Sequence, residues 1–424
     1  MGLLCDEHVG IVSELQEVPR AAGAPDFFQY AARACDTRAF THQQNFRNSG
    51  GASTDPEAAA AKAVGEAVER YCAAVYDVND LPLVTRREAD FPCLAPARLA
   101  LYRAAQYADP GFQFVPFDDD TPARWVPAFN ATTGSLEHVP APAVFVPYFY
   151  YQGSGEAPVM EPISTGLACG RSPLEAALGA VCEVVERDAF TITWQAMIAP
   201  PGLDPAGLDP RNRDRVERFR TAGFEVRILD ITTDLGVPAI MTVLLATSPE
   251  RAALVFAAAC APDPADAVRK ALEELEHTRR YSQQIMDRLP RLEVRENHDN
   301  VVDQLDHLNF WCDHRNADRA DFLSGGGPAD LRREVPGRDD GERFRHIVGQ
   351  LAAAGHDVLL LDLTTPDVAS AGFTVVRAIV PGLHPLYMGH RYRALGGSRL
   401  WEVPQRLGHP GIVAEDNPAP HPFP

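Results

Sequence analysis

The chain has 424 residues, of which 46% are apolar and 23% charged, and its 39 basic and 58 acidic residues give a formal net charge of −19. This composition is typical of a globular protein and excludes a disordered or fibrous one. The acidity argues against binding to nucleic acid or to an anionic membrane, and the longest apolar runs, residues 252–261 and 238–246, are too short to span a bilayer.

The N-terminus and the cysteines indicate a cytoplasmic protein. The first residues, MGLLCDEHVGIV, carry no Lys or Arg before the apolar stretch, so they do not form a secretory signal. The eight cysteines are scattered without a C-x-x-C pair, which favours free thiols over a disulfide framework. His307, Cys312 and His314 do not have the spacing of a common zinc site.

One segment of the chain occurs three times. Residues 55–70, DPEAAAAKAVGEAVER, and residues 172–187, SPLEAALGAVCEVVER, share nine of sixteen positions. A third copy, DPADAVRKALEELEHT, occupies residues 263–278 and has His277 in place of the second glutamate. Each copy predicts a helix, because an Asp or Ser N-cap precedes a proline at the first helical position and an acidic residue lies in the first turn.

A second repeat predicts strands. GFEVRILDITT at residues 223–233 matches GHDVLLLDLTT at residues 355–365, and each is followed by a further β-branched run. Both indicate strand, turn and strand after a helical stretch. We therefore expect an α+β protein with internally duplicated helix and sheet halves. We expect one domain over residues 1–424, with an N-terminal segment 1–45, a catalytic core 46–415 and a proline-rich tail 416–424.

The repeated glutamates allow two interpretations. Pairs such as Glu66 with Arg70, or Glu183 with Arg187, stabilise any solvated helix by a few tenths of a kcal/mol. Alternatively, three helices that keep glutamate in one register pack together and gather four to six carboxylates. Such a cluster needs a cation, and oxygen ligands select hard cations such as Mg²⁺, which commonly arrives with phosphate. We favour the second interpretation.

The repeats also carry a family pattern. The segment STGLACGRSPLEAALGAVCEVVERDAFTITW, residues 164–194, resembles the signature of the YcaO family. The ERY ending at residues 69–71 and ALEELEHTRRY at residues 271–281 resemble the companion motifs of that family. The likeness covers nearly the whole chain. It implies a YcaO-like fold around a central nucleotide site and an ATP- and Mg²⁺-dependent enzyme that activates a peptide-bond oxygen.

The resemblance also implies site residues, matched position by position. The carboxylates that would hold Mg²⁺ are Glu66, Glu69, Glu183, Glu186 and Glu274. The nucleotide would contact these five together with Glu175, Arg187, Lys270 and His277. The chain departs from the common pattern at Arg171, where asparagine is usual, at His277, where glutamine is usual, and at residues 50–51, Gly-Gly, where many members carry a lysine.

The end of the chain narrows the implied reaction. The tail DNPAPHPFP has proline at every second position and is stiff and extended. By composition alone it is a disordered end or a ligand for a proline-binding module. It also resembles the P-x-P-x-P terminus of azoline-forming YcaO enzymes, in which the tail enters the active site. That likeness implies catalytic roles for Pro420, Pro422 and Pro424, with the terminal carboxylate of Pro424 as a positioned group.

The resemblance implies a cyclodehydratase that acts on a ribosomal precursor peptide. A Cys, Ser or Thr side chain attacks the preceding carbonyl, ATP phosphorylates the resulting oxygen, and loss of phosphate leaves a thiazoline or oxazoline. No segment resembles the domain that recognises the leader of the precursor, so we expect a separate partner protein, and a homodimer by family analogy. Two alternatives stay open: a stand-alone YcaO enzyme that forms thioamides or amidines, and a non-catalytic scaffold that presents the precursor.

Overall fold

The three repeated segments form helices that begin where the sequence predicts. In the computed structural model, which describes residues 4–296 and 298–423, the side chains of Asp55, Ser172 and Asp263 accept hydrogen bonds from N–H groups of the first helical turn. A proline follows each of these caps at the first helical position, where its missing N–H costs nothing. Local sequence therefore determines where these helices start.

Helices and strands alternate along the chain. The α-helices are α1 (Pro56–Cys72), α2 (Ala104–Tyr107), α3 (Pro173–Gln195), α4 (Pro210–Thr221), α5 (Pro264–Arg288), α6 (Gln304–Cys312), α7 (Asp340–Ala353), α8 (Pro366–Ser370) and α9 (Arg399–Arg406). The strands are β1 (Val12–Glu17), β2 (Phe28–Ala34), β3 (Asn48–Ser53), β4 (Leu83–Val84), β5 (Ala123–Asn130), β6 (Ser135–Pro140), β7 (Leu167–Gly170), β8 (Gly202–Leu203), β9 (Glu225–Asp230), β10 (Ala239–Leu245), β11 (Leu254–Cys260), β12 (Pro328–Ala329), β13 (Leu359–Asp362) and β14 (Thr374–Ile379). Helices interspersed with largely antiparallel strands confirm the predicted α+β class.

The strands form three sheets, and each repeated helix follows a strand at the end of one of them. The sheet orders are β1-β2-β3, β11-β10-β9-β8-β12 and β4-β5-β13-β14-β7, with β6 also paired to β5. Strand β3 leads into α1, β7 into α3 and β11 into α5. Each helix then packs back on its own sheet. The sequence suggested two related halves, whereas this strand–helix unit occurs three times in the described chain, because each repeat carries its own preceding strand.

The second sequence repeat forms two hairpins. Strands β9 and β10 pair antiparallel after α4, and β13 and β14 pair antiparallel after α7. The alternation of β-branched residues with a turn between them therefore predicted these elements correctly.

Helix α3 lies in the middle of the molecule. Its second half is buried on all sides, with Phe190 and Trp194 fully buried, and it packs on β7, β14, β11, α7 and α9. This half is buried all round although it also carries the polar residues Asp188, Thr191, Thr193 and Gln195, so α3 has the position of a core helix. The core therefore places the charged residues of the second repeat, one turn earlier on the same helix, between the sheets.

No helix in the described part of the chain combines the length and apolar character that a membrane crossing needs. All eight cysteines are free thiols in the structure.

Candidate active site

The charged face of α1 lies along the outer edge of β3. The N–H of Gly50 donates to Glu66 Oε2 at 3.0 Å, and the guanidinium of Arg70 donates to the carbonyl oxygen of Asn48. Glu66 and Arg70 also pair with each other, Arg70 Nη2 lying 2.6 Å from Glu66 Oε1, and each side chain is about one third exposed. This face of α1 is therefore hydrogen-bonded to a strand edge. Glu66 and Arg70 are not the simple solvent-exposed ion pair that the first interpretation of the sequence described.

The same edge joins α1 to α5. Lys62 Nζ donates to the carbonyl oxygen of Ala52 at 3.2 Å and to Glu273 Oε2 at 2.6 Å. Glu273 is buried and also accepts from Arg215 and from Ser53, each at 3.0 Å. A network with every partner present stabilises the junction of the two helices, because a buried carboxylate is costly unless it is paired. Sequence analysis selected the neighbouring Glu274 and missed Glu273.

Two of the predicted glutamates bind the strand of the next unit. Glu69 Oε1 on α1 accepts from the N–H of Cys169 on β7 at 2.7 Å. Glu186 Oε2 on α3 accepts from the N–H of Cys260 on β11 at 2.9 Å. Each cysteine lies three residues before the N-cap of the helix that follows it. In both cases the last glutamate of one repeat accepts a hydrogen bond from the strand cysteine that precedes the next repeated helix. These contacts join the first unit to the second and the second to the third.

His277 contacts the first unit by packing against β3. It occupies the register of Glu69 and Glu186 on α5, and its ring lies against β3: a Cβ built on Gly50 would be only 2.3 Å from His277 Cε1. A residue with a side chain at position 50 would collide with this ring. The histidine and the glycine, both departures from the usual pattern, therefore fit each other, and the contact links the third unit back to the first.

The carboxylates at the junction have raised pKa values. Burial, followed by the charge of Glu183, raises the pKa of Glu69 well above its ordinary value. Burial also raises the pKa of Glu183, and it raises that of Glu186 to about 7 against the opposing charge of Arg187. Buried carboxylates whose anionic form is this unfavourable gain stability from a cation. Hard oxygen donors of this kind suit Mg²⁺.

The predicted carboxylates do not meet in one ligand sphere. Within residues 4–296 and 298–423, no group of three or more His, Cys, Asp or Glu side chains is placed to hold a metal ion. The charges of Glu183 and Glu66 nevertheless both act on Glu69 and raise its pKa, so these carboxylates lie near one another, and their expected gathering around a cation stays a prediction. Glu66, Glu69 and Glu186 each bind a strand amide, and arginines occupy further oxygens of Glu66 and Glu186. Which of them hold Mg²⁺ stays a prediction.

The remaining predicted residues surround this junction. Glu274 is half-buried on α5, and Lys270, one turn earlier, is exposed, although its charge reaches Glu186 and opposes the rise in the pKa of that carboxyl. Glu175 is exposed at the start of α3, where its Oε2 accepts from the N–H of Arg171 at 2.8 Å. The structure thus places these cofactor candidates on α3 and α5 at the edges of the same junction.

Arg187 connects the carboxylates to the tail. Its guanidinium pairs with Glu183 at 3.3 Å and also with Glu186. The same guanidinium lies over the ring of Phe423, 4.1 Å from the ring centroid. The planar cation is thus held by two anions and one aromatic face, an arrangement that fixes its orientation.

The proline-rich tail is buried and not disordered. Residues 419–423 are buried, and two tryptophans hold the tail backbone. Trp194 donates its indole N–H to the carbonyl oxygen of Ala419 at 3.2 Å, and Trp311 donates to that of Pro420 at 3.0 Å. Of the predicted catalytic prolines, Pro420 and Pro422 are buried, and Pro424 lies outside the described residues.

Aromatic side chains hold the last turn of the tail. The ring of His421 stacks on that of His307 at 3.8 Å between centroids, and its Nε2–H donates to the carbonyl oxygen of Tyr387 at 2.7 Å. Phe423 donates its N–H to His421 Nδ1 at 3.2 Å and packs its ring on Phe190 at 4.7 Å. The tail therefore ends against α3, one turn from Glu186.

Arg377 is a candidate site residue that sequence analysis missed. It is 3% exposed on β14, and its guanidinium donates to the carbonyl oxygens of Ala143 and Ile163. Its Nη1 has no hydrogen-bond partner in the described chain, and its charge lowers the pKa of Glu183. Burial lowers the pKa of Arg377 to about 10. The one signal in the sequence was a single charged residue within the apolar run FTVVRAIV.

Acidification is expected to destabilise the protein through the histidines that hold the tail. Burial lowers the pKa of His307 to about 4 and that of His421 well below its ordinary value. Histidine in an unfolded chain titrates near pH ~6.5. The unfolded chain therefore binds protons that the folded chain does not, and stability that is complete above this pH is lost as the pH falls towards 4.

Urea unfolding followed by tryptophan fluorescence measures this effect, because Trp194 and Trp311 touch the tail. We expect the free energy of unfolding to fall from about pH 7 to about pH 5. His421→Gln is expected to make this dependence shallower, whereas His8→Gln, a change at an exposed histidine, leaves it unchanged. Equal pH dependence in His421→Gln and the wild type would contradict the assignment.

Comparison with known proteins identifies a family over most of the chain and relatives over parts of it. A family model described as YcaO cyclodehydratase, ATP- and Mg²⁺-binding, matches residues 50–384. An uncharacterized protein in the tfuA 3′ region of Rhizobium leguminosarum bv. trifolii is 30% identical over 171 residues, 37% of this chain and 39% of that protein. An uncharacterized protein of Methanothermobacter thermautotrophicus is 31% identical over 180 residues, 40% of this chain and 45% of that protein. The matches span less than half the length of these curated relatives.

Solved structures share the fold at low identity. A heterocyclase in complex with substrate and cofactor has a TM-score of 0.79 at 22% identity, over 99% of this chain and 56% of that one. YcaO from Methanopyrus kandleri bound with AMPPCP and Mg²⁺ has a TM-score of 0.64 at 21% identity, over 88% of this chain and 86% of that one. The E. coli microcin synthetase McbBCD complex with pro-MccB17 bound has a TM-score of 0.60 at 15% identity, over 86% of each chain.

Proposed function

The chain belongs to the YcaO family, and we propose that it is an ATP- and Mg²⁺-dependent cyclodehydratase that converts Cys, Ser or Thr of a ribosomal precursor peptide to thiazoline or oxazoline. The observation that carries this proposal is the contact between tail and charged helix: Phe423 lies on Arg187, which pairs with Glu183 and Glu186. A tail in that position can orient a residue of the proposed active site, whereas a disordered chain end or a ligand for another protein cannot.

In the proposed reaction the peptide supplies both the nucleophile and the oxygen that leaves. The side-chain sulfur or oxygen bonds to the preceding carbonyl carbon, and the carbonyl oxygen takes the γ-phosphoryl group of ATP. That oxygen then leaves as inorganic phosphate, with loss of the side-chain proton and the amide proton, so ring closure consumes one ATP and removes one water overall. Hydroxide is a far poorer leaving group than phosphate, so phosphorylation makes the ring accessible.

Residues at the junction of the three units have distinct proposed roles. Glu66, Glu69, Glu183, Glu186 and Glu274 are the residues that would hold Mg²⁺, and Glu175, Lys270 and His277 would be further nucleotide contacts. The metal would supply charge neutralisation for the transferred phosphoryl group. Arg187 presents a fixed guanidinium to a phosphate oxygen, because its two anionic partners and Phe423 hold its plane. Buried Pro420 and Pro422 keep the tail extended beside it.

We also propose a separate partner that recognises the precursor leader, and a homodimer. The structural neighbours that support a peptide substrate and partner proteins are the heterocyclase in complex with substrate and the McbBCD complex with pro-MccB17 bound. This chain covers 56% of the first of these chains.

Reconstitution tests the function directly. The protein is mixed with a candidate precursor peptide and a candidate leader-binding partner, with MgATP. We expect each ring to lower the peptide mass by one water and to release one phosphate. A gain in mass of sulfur in place of oxygen would indicate a thioamide instead, and an unchanged peptide with no ATP hydrolysis would contradict catalysis. Omitting Mg²⁺ is the matched control and is expected to stop both signals.

A further inference from the structure

A groove beside β3 has no role in the chemistry described above. It is a cavity of about 620 Å³ on the first sheet. The residues that define this arginine–aromatic groove are Arg33, Asn45, Phe46, Arg47, Asn48 and Phe149. Pockets of this size accommodate several atoms of a ligand or a short stretch of peptide.

The groove combines exposed rings with two arginines that have no direct contact with a carboxylate in the described ranges. Phe46 and Phe149 are 54% and 50% exposed, which is unusual for two large apolar side chains at one cavity. Arg33 is exposed and lies across the strand pair from Glu14, and Arg47 donates to the carbonyl oxygen of Ala34 while its charge lowers the pKa of Asp36. Neither guanidinium is in direct contact with a carboxylate in the described ranges, so in a chain with a net charge of −19 both keep N–H donors for an anion.

A buried amide also lacks a partner there. Asn45 is 3% exposed, and its Oδ1 accepts from the N–H of Thr37 at 3.4 Å. Its Nδ2 has no hydrogen-bond partner among residues 4–296 and 298–423. A buried donor without an acceptor lowers the stability of the fold, so an acceptor that enters the groove would satisfy the Asn45 amide.

The groove lies beside the proposed active site. Asn48, which lines the groove, accepts from Arg70 through its carbonyl oxygen, and Arg70 pairs with Glu66. Two side-chain contacts therefore separate the groove from a proposed ligand of Mg²⁺. A chain lying in the groove can continue toward the site where ATP would be held.

We propose that the arginine–aromatic groove binds an acidic, extended stretch of the precursor peptide that carries an aromatic side chain. This inference rests on the proposed function, since it names the part of the substrate that the enzyme itself holds. Carboxylates of the peptide meet Arg33 and Arg47, its aromatic side chain packs on Phe46 and Phe149, and a backbone carbonyl accepts from Asn45 Nδ2. The rest of this acidic protein repels such a peptide, so charge directs it to the groove.

Binding of two labelled peptides tests the inference on the full chain. The probes are fluorescein-labelled synthetic peptides with a central phenylalanine and a cysteine, identical except that glutamates flank the ring in one and lysines in the other. Fluorescence anisotropy gives their affinities, and binding of AMPPCP with Mg²⁺ is measured in parallel. We expect the glutamate peptide to bind at least about tenfold more tightly than the lysine peptide.

Variants locate the binding. Arg33→Glu is expected to weaken the glutamate peptide about tenfold and leave nucleotide affinity unchanged. The matched control is Arg333→Glu, which removes an exposed arginine far along the chain and leaves both affinities unchanged. Tighter binding of the lysine peptide, no peptide binding, or equal effects of the two variants would overturn the inference.

The nucleotide measurement separates this inference from the proposed function. If Arg33→Glu weakens AMPPCP and not the peptide, the groove is part of the nucleotide site and the peptide assignment fails. If the wild-type protein binds no AMPPCP with Mg²⁺, the proposed function fails, whatever the peptides do.

Discussion

Replacing Glu186 by glutamine is expected to lower ATP-dependent ring formation by about 100-fold or more, as loss of a charge from an electrostatic site does. Glutamine keeps the shape of the side chain, and its oxygen can still accept from the N–H of Cys260. The substitution removes the anion that pairs with Arg187 and that we propose as a ligand of Mg²⁺. Turnover in the reconstituted mixture and binding of AMPPCP with Mg²⁺ are measured together.

Glu217→Gln is the matched control for this variant. Glu217 is exposed on α4, and the same change of charge there is expected to leave turnover and nucleotide binding unchanged. Thermal stability of the Glu186 variant checks that the fold is retained. If folded Glu186→Gln turns over at the wild-type rate, the carboxylates of α3 have only a structural role.

Removing residues 422–424 is expected to reduce ring formation from the wild-type rate to near the rate without enzyme, while nucleotide binding persists. The deletion takes away Phe423, whose ring lies on Arg187 and on Phe190, and so releases one side of the guanidinium. It leaves Glu183, Glu186 and the helices of the junction unchanged. The measurement is peptide mass after reaction, beside the affinity for AMPPCP with Mg²⁺.

A milder variant keeps this test interpretable if the shortened chain unfolds. Phe423→Leu preserves an apolar side chain in the core and removes only the aromatic face, which contributes about 0.5–2 kcal/mol to holding a cation. We expect slower ring formation with normal folding. Pro418→Ala, a change at an exposed proline of the same tail, is the control. Normal turnover in the deletion would show that the tail is only a structural strap.

Local patterns predicted the repeated helices and the two hairpins because short-range physics governs them. The caps Asp55, Ser172 and Asp263, each followed by proline, satisfy the first N–H groups wherever the helix finally packs. Alternating β-branched residues similarly predicted β9 to β10 and β13 to β14. The repeat register also placed Glu66, Glu69 and Glu186 on the faces that meet strands of the sheets.

The partners of those side chains could not be predicted from spacing. Glu69 bonds Cys169 and Glu186 bonds Cys260, contacts between residues far apart in the chain. Glu273 and Arg377 entered the site without belonging to the shared register. Nothing local distinguishes a glutamate that pairs with an arginine from one that bonds a distant backbone.

By itself, the sequence determined the class of fold, the positions where the repeated helices begin and the acidic register that runs through them, since capping, periodicity and charge act within a few residues. Only the tertiary structure decided that the tail is buried on α3, that Phe423 meets Arg187, and that Gly50 makes room for His277. These arrangements arise from packing between distant segments, where shape and desolvation select one partner among many that are chemically equal.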